Sequence, residues 1–279
     1  MKLTVATWFS AILSIALAGC QPDAASTTQT AISFDTPDTL TPDAKQQHGK
    51  RLSHVLGCRG CHGPSLEGQK FDDDPKGYGV MWASNLTQTV PHLSDAQLEK
   101  LLRDGVHPDR AEMWVMPSEI FQHLSKPDMT ALISYLRTLT KTGEPSPPPV
   151  LGPRAVSEIA DGSIKPAHVL AEETRKVLPF DAGPKHAQGR YITSLTCAEC
   201  HGTQLEGNIS PDGNTPDLAL VSAYSAQEFD HFITTGETPG KREIHELMVS
   251  VAKRRFSKLT PTERKGVYAY LVARAGRPQ

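Results

Sequence analysis

The sequence predicts a mainly α-helical protein of two tandem domains, and three observations lead to it. Cys-x-x-Cys-His occurs twice, as Cys58-Arg59-Gly60-Cys61-His62 and as Cys197-Ala198-Glu199-Cys200-His201. Around each copy the same signals follow in order: a helix containing a glycine (Gly49, Gly189), the motif, a loop, a middle helix, a methionine and a terminal helix with Tyr-Leu. Such self-similarity marks one unit repeated within a chain. Helix-start signals abound and no stretch shows strong strand alternation. At 279 residues the chain exceeds what one small domain needs and suffices for two.

Each motif offers two thiols able to form thioether bonds to the vinyl groups of a haem, with an imidazole beside the second thiol able to ligate the iron. Two intervening residues in a tight, helix-like turn let both sulfurs reach one porphyrin edge while the histidine comes up beneath the metal. A pair of redox or zinc C-x-x-C motifs is the alternative reading. The cysteine count opposes it: four of five cysteines lie in the motifs, and the fifth, Cys20, has a separate explanation. Two covalently bound haem c groups are therefore expected, on Cys58 and Cys61 and on Cys197 and Cys200, with His62 and His201 placed to ligate the irons.

Residues 1–19 read as a signal peptide: Lys2, then the apolar run Val5 to Ala18, too short to span a bilayer. Leu17-Ala18-Gly19-Cys20 resembles a bacterial lipobox, so processing would leave Cys20 first and acylated, with several acyl chains as the anchor. Gln21 after that cysteine favours the outer over the inner membrane. An ordinary secretory signal cut elsewhere is the alternative. Haem c is attached on the oxidising side of the inner membrane, so export and haem chemistry agree. Residues 20–41, rich in Ser, Thr, Ala, Pro and Asp, lack the apolar surface to fold alone. As a flexible tether of about 20 residues they reach on the order of 25 Å.

The first domain is expected over residues 42–143. Ser94 opens a helix through Leu102 that stops near Gly105, and Leu132, Tyr135, Leu136 and Leu139 recur at helical spacing on the terminal helix. Asp72-Asp73-Asp74 reads as a soluble loop. Residues 144–182 form a connector that begins with the stiff run Glu144-Pro145-Ser146-Pro147-Pro148-Pro149, its remainder from Val150 to Ala182 free to wrap against either domain. The second domain is expected over residues 183–279. Ser225 with Glu228 makes a capping box, Thr260-Pro261-Thr262-Glu263 opens the last helix, and Val267, Tyr270 and Leu271 face inward. Lys253-Arg254-Arg255 reads as a solvated helix face, with contact to a propionate or an acidic partner as the sharper alternative.

With these residues assembled, each half resembles a class I cytochrome c domain, and the pair resembles the di-haem cytochromes c of bacterial periplasmic electron-transfer chains. The resemblance rests on the two haem motifs, Asn85-Leu86-Thr87, Met116-Pro117, Thr215-Pro216-Asp217-Leu218 and the Tyr-Leu helices. It implies proximal ligation by His62 and His201, with backbone carbonyls near Asn85 or Pro216 as candidates to hold the other ring nitrogen, and a distal methionine in each half. Met81, His92, His107, Met113, Met116 and His123 compete in the first half. Met116 is preferred because relatives carry Met-Pro at that place. His231, His245 and Met248 compete in the second, and Met248 holds the matching position. A thioether opposite imidazole raises the reduction potential and leaves no open site on iron. The resemblance thus implies an electron carrier between a periplasmic dehydrogenase and a terminal oxidase or another cytochrome. A di-haem enzyme of the peroxidase or thiosulfate dehydrogenase type, with one catalytic haem, is the second reading. A formal net charge of −2 argues against nucleic acid as a partner.

Overall fold

The structure, a computed structural model, describes residues 32–36, 41–209 and 213–277. The expected signal peptide, the acylated Cys20 and most of the tether lie outside the described residues. Among the described residues, no helix is long and apolar enough to cross a membrane. Helices supply most of the regular structure, joined by long loops.

Helix α1 (Pro42–Val55) starts where Thr41 accepts from Ala44 N–H at 3.2 Å, with Pro42 at the first helical position. The short α2 (Cys58–Cys61) carries the first motif. A hairpin of β1 (Gln69–Asp74) and β2 (Gly79–Ala83) follows, then α3 (Leu86–Thr89). Helix α4 (Asp95–Asp104) runs from the Ser94–Gln97 capping box to Gly105, which ends it at φ 66°. The one-turn α5 (Ser118–Phe121) precedes α6 (Lys126–Leu136), whose inner face buries Met129, Leu132, Tyr135 and Leu136. Helices α1 and α6 cross with backbones almost touching: a Cβ on Gly49 would lie 2.0 Å from Ala131 O. Only glycine permits that approach, which outweighs its cost to the helix.

Of the two halves open to it, the connector wraps against the first through its strand and helices. Ser146 Oγ donates to Ala83 O at 2.8 Å. Val150–Leu151 forms β3 and completes a three-stranded antiparallel sheet in the order β1-β2-β3. Helices α7 (Pro153–Ala160) and α8 (Ala167–Thr174) then pack on the first half, α7 against β2 and α8 against α4 and α5. The sheet departs from the expectation of no strands, and Asp72-Asp73-Asp74 lies in β1 rather than in a loop. The reason is physical: β1 is the exposed outer strand, so it shows no apolar alternation, and its register shifts between Lys70 and Asp72. Backbone pairing alone defines it.

In the second half, α9 (Ala187–Thr196) and the one-turn α10 (Ala198–His201) carry the second motif. Helix α11 (Ala226–Thr235) opens on the Ser225–Glu228 capping box and ends at Gly236. Helix α12 (Glu246–Arg254) precedes α13 (Pro261–Ala275), whose capping box pairs Thr260 with Glu263. Helix α13 crosses α9 at Gly189, where a Cβ would lie 2.2 Å from Gly266 O. The crossing of α1 and α6 thus recurs with a second glycine.

One apolar core runs through both halves, from Leu52 and Leu132 to Leu195 and Leu271. Phe34, 1% exposed, inserts at the junction, its ring 5.6 Å edge-on from Tyr191. Beneath it, buried Asp128 accepts from Phe34 N–H at 3.0 Å, Ser125 Oγ at 3.0 Å and Tyr191 O–H at 2.7 Å, and meets His48 Nε2 at 2.8 Å. Arg51 completes the seam through both carboxylate oxygens of Glu263, at 2.7 and 3.0 Å. Every acceptor of these two buried carboxylates faces a donor, as burial of charge demands.

Candidate functional site

Each Cys-x-x-Cys-His motif lies on a single helical turn. His62 N–H donates to Cys58 O and His201 N–H to Cys197 O, both at 2.9 Å, so one turn carries two sulfurs and an imidazole. All four cysteines are free thiols. Burial pushes Cys58 and Cys197 up to about 11 and raises Cys61 and Cys200 as well. A redox C-x-x-C depends on the opposite shift, toward a stable thiolate.

The histidines are held by matching bonds. His62 Nδ1 lies 2.8 Å from Ser84 O, and His201 Nδ1 lies 2.8 Å from Pro216 O. A carbonyl oxygen only accepts, so each Nδ1 carries the proton and donates. Nε2 is left with its lone pair, the tautomer an iron ligand needs. Burial lowers the proton affinity of both rings and so favours the neutral form that binds metal. This donor set fits a covalently held haem in both halves.

The loop after each motif repeats nearly atom for atom. Leu66 and Leu205, fully buried, both take left-handed backbone at φ 63° and 60°. Leu66 N–H donates to Gly63 O (3.0 Å) and Leu205 N–H to Gly202 O (2.8 Å). Gly68 and Gly207 N–H donate to His62 O and His201 O at 2.9 Å, while Leu86 and Leu218 N–H close the loops on Leu66 O and Leu205 O at 2.9 and 3.0 Å. The carbonyl that orients each histidine directly precedes a capping side chain: Asn85 accepts from Thr87 N–H and Asp217 from Ala219 N–H. Asn85-Leu86-Thr87 and Pro216-Asp217-Leu218 stand out in the sequence, whereas Leu66, Leu205 and the glycines around them do not figure among the expected site residues. Their signal was present as His-Gly-x-x-Leu-Glu-Gly in both halves.

The expected distal methionines sit in different settings. Met116 lies in the loop before α5, half-buried against the core, after exposed Val115 at φ 68°. Met248 lies in the first turn of α12, also half-buried against the core. Among their competitors, Met81 is buried in β2, Met113 O accepts from Ala167 N–H at 2.8 Å, and His92 is exposed. His107 Nδ1 accepts from Asp109 N–H at 3.1 Å, and His123 is half-buried after α5. His231 is exposed and pairs with Glu237, while exposed His245 caps α12.

Residues 46–140 match the family model described as Cytochrome c. No curated protein matches the chain. For that span the family implies covalently bound haem c and suggests a part in electron transfer. Its matched span runs from α1 through the end of α6, and so contains the first motif, the Ser84 carbonyl and Met116.

Arg255 departs from its reading as part of a solvated face. Lys253 and Arg254 are exposed, but the Arg255 side chain turns inward and is 13% exposed. Its Nε donates to Val55 O at 3.1 Å and its Nη1 to Glu199 Oε2 at 2.8 Å. The side chain therefore joins the end of α1, just before the cytochrome c domain's motif, to the middle of the second motif.

Proposed function

We propose that the chain is a di-haem electron carrier. One haem is held by Cys58 and Cys61, with His62 and Met116 on its iron; the other is held by Cys197 and Cys200, with His201 and Met248. The observation that carries this reading is the repeated histidine bond, Nδ1 to Ser84 O and Nδ1 to Pro216 O at the same 2.8 Å. A haem bound this way exchanges single electrons and offers substrate no open position. The chain's own residues fix both imidazoles and pack both attachment turns against one continuous core. The carrier works on the periplasmic side of a bacterial membrane, the outer in preference to the inner, anchored through acylated Cys20. It takes electrons from a dehydrogenase and passes them to a terminal oxidase or another cytochrome.

The test is the haem-to-protein ratio and visible to near-infrared spectrum of the full-length protein extracted from membranes. Two haems per chain are expected, with the methionine-to-iron band at two-site strength. The double variants Cys58→Ala/Cys61→Ala and Cys197→Ala/Cys200→Ala should each leave one haem covalently attached. A single haem in the parent protein overturns the reading, and high-spin features would move it to an enzyme with one catalytic haem.

A further inference from the structure

Arg255 occupies a position that neither attachment site requires for itself. It follows α12, the helix of Met248, and reaches back across the junction to Gly57. A Cβ on Gly57 would fall 2.8 Å from the Arg255 Cζ, and Gly57 itself takes φ +80° immediately before Cys58. The guanidinium thus lies flat in space that any other residue at position 57 would fill. On its other side it bonds Glu199, which stands between Cys197 and Cys200.

Its bonding is incomplete. Nε and Nη1 have partners, whereas Nη2 is buried without one. A guanidinium offers five N–H donors. Withdrawn from water, its charge is poorly screened over the few ångströms to either motif. Glu199 is the more exposed member of the pair, so the two charges do not cancel equally at the sulfurs of the two motifs.

We infer that Arg255 is a positioning residue that holds the two haem attachment turns against each other and, with Glu199, sets the reduction potential at both. This rests on the di-haem reading above. A nearby positive charge disfavours the oxidised iron, which carries one more positive charge than the reduced, and so raises the potential. The electron moved is the one supplied by the dehydrogenase and removed by the oxidase or partner cytochrome. One site is oxidised as the other is reduced, with no bond made or broken in the protein.

The experiment is a spectroelectrochemical titration of full-length protein carrying both haems, comparing the parent with Arg255→Gln, Arg255→Lys and Glu199→Gln. R255Q is expected to lower both midpoint potentials by at least the equivalent of a tenfold change in the reduction equilibrium, 59 mV for one electron. E199Q should raise both. R255K, which keeps the charge but not the two-armed bond, should hold the potentials closer to the parent than R255Q does. A shift confined to one haem, or none, in variants that retain both haems overturns the inference. If R255Q fails to fold, E199Q is judged by the same two outcomes, because its side chain is largely at the surface. One haem in the parent protein instead overturns the di-haem reading, and the haem count made first separates the two failures.

Discussion

Glu119, three residues beyond Met116, is a carboxylate in an unfavourable place. Its Oε2 is buried without a partner, and burial, with repulsion from Glu199 in addition, pushes its carboxyl above the ordinary range. The native state therefore binds this proton more tightly than the unfolded chain does. Stability from it is full below the unfolded carboxyl pKa and is lost as pH rises through the native one. Glu119→Gln should flatten that slope, leaving the protein about 1 kcal/mol more stable than the parent at pH 7. Near pH 4 the two should be equal. Urea unfolding midpoints from pH 4 to 8 would show it, and an equal offset at every pH would count against it. At this scale the sequence was informative wherever chemistry is local. The thiols and histidines of the two motifs stand out by spacing, whereas Glu119 looks like any helix-start glutamate until its surroundings are known.

At the scale of elements, the two crossings of α1 with α6 and of α9 with α13 depend on one atom that is missing from each. A methyl group at position 49 or 189 would press on a carbonyl at 2.0 or 2.2 Å. Gly49→Ala and Gly189→Ala should each cost roughly 1–3 kcal/mol as overpacking, lowering the midpoint of thermal unfolding by on the order of 5 °C. Circular dichroism melts suffice to measure this, and an unchanged midpoint would mean that the helices can separate at no cost. Both glycines were legible because each lies in the helix that leads into its motif, nine residues before Cys58 and eight before Cys197. The capping boxes at Ser94, Ser225 and Thr260 were legible for a related reason: a cap is decided within four residues. The hairpin was not. Gln69-Lys70-Phe71-Asp72-Asp73-Asp74 has no inward face to announce, and it is a strand only because β2 lies beside it.

For the whole molecule, the segment 33–36 matters more than its composition suggests. Phe34 fills the seam between halves while its backbone N–H satisfies Asp128, and Asp35 N–H donates to Glu263 at 2.8 Å. Phe34→Ala should cost about 3–5 kcal/mol as a buried cavity and weaken the coupling of the halves. Calorimetry is expected to show one cooperative transition in the parent and two in the variant. A single transition, merely lowered, would mean that the halves are joined by other contacts.

The sequence by itself determined the grouping of two thiols and a histidine in each motif, the helix starts and the repeated helix pairing. All of these follow from covalent spacing, capping and glycine placement within short stretches of chain. The resemblance pointed to carbonyls near Asn85 or Pro216 for the histidines, and tertiary structure set the partners as Ser84 O and Pro216 O, 22 and 15 residues away. It also made a sheet strand of an acidic run and drew the connector onto the first half. Of three consecutive basic residues, it selected one to bridge partners 200 and 56 residues distant. The physical reason is common to all: a hydrogen bond or a packed side chain is satisfied by whatever group the fold brings near, and sequence separation places no limit on which group that is.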